Sequence, residues 1–370
     1  MIPLILLVIL ISLMVLHITQ YQFSWIKIKP LWGYYEDAAK SKFTWESWFS
    51  GYYQETEEQY LTDHFGFRSF FVRLNHQWRF SLFHKIKAQK VILGKNNYLY
   101  EKSYIDCYYG DEFSGRDLIE NRMHKLKLLQ DTLQQLGKTI VVVLAPGKGS
   151  FYPEYIPEQF HKEPRTTNIS VYREYIEKWN INCMDFNQYF IDIKEVSPYP
   201  LYPQLGIHWS IYGSCLVADS MVRYIERKHN ITMPHIYWDE IKIAPPDEYD
   251  RDVSRSLNLL FTPQTMDLAY PCIQFETDSG KTKPSLLVIG DSFYWTIYYR
   301  GWPYYLFTDA HFWYYNKEIY SQFLEKASTT EDIILKDEIL KRDIIIILCA
   351  DSNLSNLGWG FIESGYDVFY

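Results

Sequence analysis

The sequence is short of the features that announce several large protein classes. Five cysteines in 370 residues (Cys107, Cys183, Cys215, Cys272 and Cys349) are scattered, with no Cys-x-x-Cys pair and no Cys/His cluster. That spacing speaks against a zinc site, and the odd count does not suggest a disulfide framework. Cys183, Cys215 and Cys349 lie inside apolar stretches and read as buried thiols. Basic residues do not dominate: 37 Lys+Arg against 45 Asp+Glu leave a formal net charge of −8. No basic face is implied, which argues against nucleic acid as a partner. The chain has no internal repeat and no long low-complexity segment. Its one lysine-bearing glycine turn, Pro146-Gly147-Lys148-Gly149-Ser150, lacks the Walker spacing of a phosphate loop. No metal and no cofactor is expected.

Aromatic residues are abundant instead: 33 Tyr, 22 Phe and 12 Trp make up 18% of the chain. Two readings stand side by side, a large aromatic core and a surface that stacks on flat apolar faces such as sugar rings. The length allows one large α/β domain plus accessory segments.

Residues 3–18 form the one long apolar run. It is slightly short of the roughly 20 residues a spanning helix needs, but uncharged residues extend it to Trp25. A cleavable signal peptide would show a basic start and a small-residue cleavage site, and neither is clear. Residues 1–25 are therefore expected to be an uncleaved transmembrane anchor or signal-anchor. Lys27 and Lys29 follow the run, and the positive-inside rule alone would keep the body in the cytoplasm.

Residues 26–90 read as a helical, aromatic-rich linking segment, with helical spacing from about Ser69 to Phe83 and a helix entry capped by Thr62 or Asp63. Residues 91–370 read as an α/β domain. Val91 to Tyr100 gives two short strands around an Asn-Asn turn. Arg116 to Leu136 is a helix ended by Gly137. Thr139–Ala145, Ile181–Met184, Leu286–Ile289 and Asp343–Cys349 are strands, and Tyr172–Trp179 and Ser210–Lys228 are helices. The alternation predicts a doubly wound parallel sheet flanked by helices. Residues at about 230–285 form a polar, proline-containing insertion, expected on the substrate side.

Two segments carry chemistry. Leu286-Leu-Val-Ile-Gly290-Asp291-Ser292-Phe293 is a buried strand opening into a tight turn. Such a turn places a hydroxyl at the carboxyl end of a parallel strand and aims backbone N–H groups there. Ser292 then reads as a nucleophile, against the alternative of a helix cap. Asp291 orders the turn, and the N–H groups of Ser292 or Phe293 are natural oxyanion donors. Gly206-Ile207-His208-Trp209-Ser210 precedes a helix. His208 reads as the general base, with Trp209 packing to hold the ring. Lys148, at the end of the Thr139 strand, reads either as a ligand for an anionic sugar or oxyanion support, or as a solvated loop lysine.

At these residues the chain resembles the alginate O-acetyltransferase family of SGNH-hydrolase-like proteins. The resemblance spans roughly residues 55–365. It is carried by Asp63-His64-Phe65-Gly66-Phe67-Arg68, Gly94-Lys95 with Tyr98-Leu99-Tyr100, Lys148 followed by Tyr152-Pro153-Glu154, His208-Trp209, and Gly290-Asp291-Ser292-Phe293. It implies an extracytoplasmic, membrane-anchored enzyme that moves acetyl groups onto a polysaccharide through an acyl-serine, the acetyl group being relayed by a membrane-bound O-acyltransferase. The family pattern before the histidine is Asp-x-His-Trp, and here Gly206 stands in the aspartate's place. A triad acid orients the imidazole and stabilises its cation. Three alternatives follow: a bare Ser292–His208 dyad, a substitute group such as Asp309, or a weakened or inactive relative. Competing functions are a carbohydrate acetylesterase and a non-catalytic glycan-binding component of an export complex.

Overall fold

Runs of β-branched and other apolar residues build the centre of the protein. In the computed structural model, which describes residues 2–22, 27, 29–33, 38–277, 280–324 and 328–370, they pair into one seven-stranded sheet. In chain order its strands are β1 (Thr139–Ala145), β2 (Cys183–Asp185), β3 (Leu286–Gly290), β4 (Ala310–Tyr314), β5 (Glu318–Ser321), β6 (Ser328–Thr329) and β7 (Ile344–Ala350). The spatial order is β6-β5-β4-β3-β7-β1-β2. Strands β1, β3 and β7 are buried at every residue, as strands covered on both faces must be.

The sheet is mixed, which corrects the expected all-parallel sheet. Five neighbouring strands, β4-β3-β7-β1-β2, run parallel, while β5 and β6 are antiparallel additions at one edge. The physical cause is a tight hairpin after β4. Tyr315 and Asn316 both adopt positive φ (51° and 54°), and Lys317 N–H bonds Tyr314 C=O at 3.0 Å. Two left-handed residues in succession reverse the strand with the twist a hairpin needs.

The N-terminal helix α1 (Ile2–Gln22) and three longer helices of the sheet-bearing unit follow sequence signals closely. These are α2 (Arg116–Gln135), α3 (Asn168–Trp179) and α4 (Ile211–His229). Helix α2 stops where Gly137 takes φ 72°, its N–H bonding Gln134 C=O while Lys138 N–H bonds Leu133 C=O. Helix α3 begins four residues before the expected Tyr172, because Thr167 and Ser170 form a reciprocal capping box. Helix α4 begins at the expected Ser210, whose hydroxyl accepts from Gly213 N–H at 3.0 Å.

Ile119, Met123, Leu126, Leu129 and Leu133 of α2 pack on Ile140, Val142 and Leu144 of β1 and on Ile345, Ile347 and Cys349 of β7. These are alternate residues of each strand, the period that places them on one face. Each such buried side chain contributes about 1.5–3 kcal/mol.

Contacts divide the chain into two units: Met1–Gln89 with Ser254–Pro263, and Lys90–Val253 with Gln264–Tyr370. In the first, helices Tyr52–Asp63 and Arg68–Phe83 are joined at a left-handed Phe67 (φ 61°). Asp63 closes the first helix rather than capping its successor. Its carboxylate accepts from Arg68 and from Ala38 N–H, both at 3.1 Å. In the second, the insertion supplies two short antiparallel pairs, Ile236–Tyr237 with Gln274–Phe275 and Ile241–Ala244 with Leu268–Pro271.

The expected membrane anchor is corrected as well. Helix α1 carries the apolar run, but its last residues are Thr19, Gln20, Tyr21 and Gln22, and residues 23–26, which were to extend it, lie outside the described residues. Among the described residues no helix is long and apolar enough to cross a membrane. The membrane-anchored localisation implied by the resemblance is overturned with it.

Candidate active site

Register brings the chemistry-bearing loops to one edge of the sheet. Gly290, the last residue of β3, lies opposite Leu348 of β7 and Tyr314 of β4. The segments that follow these parallel strands therefore emerge together at their carboxyl ends, where open α/β sheets place ligands. They are Asp291–Tyr294, Asp351–Asn356 and the Tyr315–Asn316 turn.

Asp291 is fully buried and ties the turn down. One carboxylate oxygen accepts from Phe293 N–H at 3.1 Å, and the other accepts from Ala350 N–H at 2.7 Å and from Asn353 Nδ2 at 2.9 Å. Burial raises its pKa against those three bonds. This leaves Ser292 half-buried at the first position of a short 3₁₀ turn. The Phe293 N–H, one of two expected oxyanion donors, is committed to Asp291, so Ser292's own N–H is the one that remains of that pair.

Ser292 Oγ lies 2.8 Å from His208 Nε2. His208 Nδ1 in turn lies 2.6 Å from Asp252 Oδ2. The imidazole and the carboxylate are about equally shielded, with side chains 17% and 19% exposed. Asp252 is the group that sequence reasoning missed. It sits in the insertion, at the start of the short helix Asp252–Ser256. Its other oxygen accepts from Ile207 N–H at 3.0 Å and from Val253 N–H at 2.8 Å. Burial pushes its pKa up, but the His208 charge and these bonds outweigh it, and the carboxyl is held below its ordinary value. For His208, burial disfavours the cation, and the Asp252 charge and hydrogen bond overcome it, so its pKa is raised. No spacing rule could have found Asp252, which is one of four acids in Asp247-Glu-Tyr-Asp250-Arg-Asp252.

The geometry explains Gly206. A Cβ there would lie 2.6 Å from Asp250 C=O and 3.0 Å from Asp252 Oδ1. The glycine admits the backbone of the insertion, and the insertion brings the carboxylate. Its φ is not in the left-handed region, so close approach, not backbone freedom, is what requires glycine.

Two aromatic residues brace the histidine. Phe293 packs edge-on between His208 (4.8 Å) and Trp209 (5.0 Å). Trp209 is buried and donates from Nε1 to Thr296 Oγ1 at 2.6 Å, linking the histidine segment to the turn that carries Ser292. Tyr315, which no sequence signal singled out, lies beside this turn, its N–H bonding Gly290 C=O at 2.9 Å.

Lys148 and Asp309 are placed elsewhere. Lys148 is fully buried, and its amine donates to Gln204 C=O at 2.8 Å and Gly206 C=O at 2.5 Å, with the rings of Tyr98 and Tyr100 nearby. It clamps the turn leading to His208 from behind. Burial lowers its pKa to about 7. Asp309 precedes β4, at the amino end of the parallel strands, and accepts from Arg342 Nη1 at 2.5 Å. It is therefore at the opposite edge of the sheet from Ser292 and does not substitute for the triad acid.

Residues 91–270 match the family model described as the SGNH hydrolase-like domain, acetyltransferase AlgX. No curated protein sequence matches the chain. Among solved structures, the chain is similar to the O-acetyltransferase domain of Pseudomonas putida AlgJ, at 15% identity and TM-score 0.47, covering 75% of this chain and 99% of that one. It is similar to Bacillus cereus PatB1 at 13% identity and TM-score 0.46, covering 73% and 99%. Pseudomonas aeruginosa AlgX follows at 13% identity and TM-score 0.44, covering 74% and 66%. At these values the three likenesses carry no weight for function.

Proposed function

We propose that this chain, whose residues 91–270 match the SGNH hydrolase-like domain, acetyltransferase AlgX, family model, transfers acetyl groups to hydroxyls of a polysaccharide through an acetyl-Ser292 intermediate. The observation that carries the reading is the continuous relay from Ser292 Oγ through His208 to Asp252, with contacts of 2.8 and 2.6 Å. A serine hydroxyl is a weak nucleophile until a positioned base takes its proton. His208 Nε2 accepts that proton as Oγ attacks the acetyl carbonyl. Asp252 holds Nδ1–H, fixes the tautomer that leaves Nε2 free to accept, and stabilises the imidazolium that forms. The tetrahedral oxyanion develops beside the Ser292 N–H. His208 then returns its proton to the donor's leaving group. In the second half, it deprotonates a sugar hydroxyl that attacks the acetyl-enzyme and regenerates Ser292. Asp252 fills the role that Gly206 left open, which favours an active enzyme over a disabled relative. The acetyl donor, by the same family resemblance, is a membrane-bound O-acyltransferase, and co-purification of the two proteins tests that step.

Incubation with p-nitrophenyl acetate should leave one acetyl group on the peptide that contains Ser292, detected by mass spectrometry. Ser292→Ala should lose the adduct and the transfer while melting changes little. An adduct mapped to another residue, or full transfer by Ser292→Ala, would sink the assignment.

A further inference from the structure

The residues after Ser292 read Phe-Tyr-Trp295-Thr-Ile-Tyr298-Tyr299-Arg300. Trp295 and Tyr299 are four apart in a helical turn and so share a face. Their rings stack with centroids 5.0 Å apart and planes 17° apart. The hairpin beyond β4 adds further rings. Tyr314 lies 5.4 Å from Trp295, Tyr320 lies 4.6 Å from it, and Tyr315 lies 4.3 Å from Tyr314. On the other side the insertion contributes Tyr249, 6.1 Å from Tyr299. The run is continuous from Tyr315 to an open end at Tyr249.

Core packing does not account for that end. Tyr299 is 61% exposed and Tyr249 44% exposed, while Trp295, Tyr314, Tyr315 and Tyr320 are only half-buried. Large rings left in water, continuous with the helical turn that follows a candidate nucleophile, are a binding surface in the making. Backbone placement points the same way. Tyr315 stands in the turn after β4, and its N–H bonds Gly290 C=O at 2.9 Å, two residues before Ser292.

We propose that the rings of Tyr315, Tyr314, Trp295, Tyr299 and Tyr249 form the acceptor subsite, and that it takes the flat faces of uncharged pyranose rings. The inference rests on the acetyltransferase reading above and adds the class of acceptor. A pyranose presents a flat array of C–H groups that stacks on an aromatic face, while its equatorial hydroxyls reach outward to phenols at the edge. A ring stacked along this run directs a hydroxyl at the carbonyl carbon of an acetyl group on Ser292. The charged pair bordering the open end, Arg300 with Asp247 at 3.7 Å, neutralises itself. The surface therefore offers rings and phenols, not a fixed charge for a uronate.

The test is calorimetric titration of the whole chain with cellopentaose, chitopentaose and a mannuronate pentamer as probes. The expected result is millimolar-range binding of an uncharged pentamer, weakened about tenfold in Tyr299→Ala and restored in Tyr299→Trp; tenfold is the loss expected of one aromatic contact. Thermal melting accompanies each titration, and Tyr249→Ala is read in the same way should Tyr299→Ala prove unstable. Absence of binding by both uncharged pentamers, binding of the uronate alone, or equal affinity in the alanine variants would overturn the assignment. The acetyl adduct on Ser292 separates the two readings. An adduct without saccharide binding removes the subsite and spares the transferase. Saccharide binding without an adduct removes the transferase and spares the subsite.

Discussion

At the scale of single residues, the decisive contact is the one between His208 and Asp252. It gives the imidazole a raised pKa despite burial, because the adjacent carboxylate favours the cation. In the proposed mechanism the base acts only when neutral. The rate of Ser292 acylation should therefore rise with pH through a midpoint above the ordinary histidine value of 6.5. In Asp252→Asn the burial stays and the counter-charge goes. The midpoint should move down and the plateau should fall about 10²–10⁴-fold, measured as the burst of p-nitrophenol over a pH series. An unchanged midpoint and plateau would show that Asp252 does not act on the base. Gly206 tests the same corner sterically. Gly206→Asp restores the family's Asp-x-His pattern in sequence, but its Cβ would lie 2.6 Å from Asp250 C=O. Overpacking of this kind costs about 1–3 kcal/mol. The variant should melt lower and lose activity as the insertion and its carboxylate are pushed back. A faster enzyme with unchanged melting would contradict this.

At the scale of elements, ends matter more than middles. Helix α2 and strand β1 are joined by Gly137 at φ 72°, with the two crossing hydrogen bonds of a helix C-terminus. Gly137→Ala meets open space, so any effect is conformational. It should cost about 1 kcal/mol by urea denaturation, the penalty of a Cβ in the left-handed region. No loss would mean that the backbone there relaxes freely. The same logic explains the sheet edge. Ala310–Tyr314 and Glu318–Ser321 pair because Tyr315 and Asn316 accept positive φ. That one turn converts a parallel sheet into a mixed one, and it also ties Tyr315 to Gly290 C=O, two residues before Ser292.

At the scale of the whole sheet-bearing unit, a buried cation links the fold to pH. Lys148 is fully buried, holds Gln204 and Gly206 carbonyls, and has its pKa lowered to about 7. The unfolded chain keeps the ordinary value of 10.5, so between about 7 and 10.5 the unfolded state binds more protons than the native state. Stability from this residue therefore rises with pH across that window and is lowest below it. The full effect is on the order of a few kcal/mol at about 1.4 kcal/mol per pH unit. Lys148→Met removes the slope along with two hydrogen bonds. The stability advantage of the native chain over the variant should grow as pH is raised above 7, measured by urea denaturation on either side of it. A pH-independent difference would mean that the amine stays charged.

Features whose physics is local can be read from the chain alone. Periodicity and β-branched runs located β1, β3 and β7. Ser210 and Gly137 marked helix ends through capping chemistry. The abrupt Gly290-Asp291-Ser292 turn after a buried strand marked a candidate site, and the structure brings its expected counterpart His208 within 2.8 Å of it. The resemblance to an SGNH-like acetyltransferase was legible in the same motifs, and the family match over residues 91–270 agrees with it. Register and close approach set the rest. The pairing of His208 with a carboxylate 44 positions on follows from Gly206 admitting the Asp250 backbone, which no pattern in either segment signals. The displacement of Asp309 follows from strand direction, because a residue before a parallel strand and one after it lie at opposite edges of the sheet. The role of Lys148 turned on burial, since a lysine in a glycine-rich loop looks solvated until the rings of Tyr98 and Tyr100 close over it. Local sequence fixes dihedral preferences and apolar period; which distant groups meet is set by the packed whole.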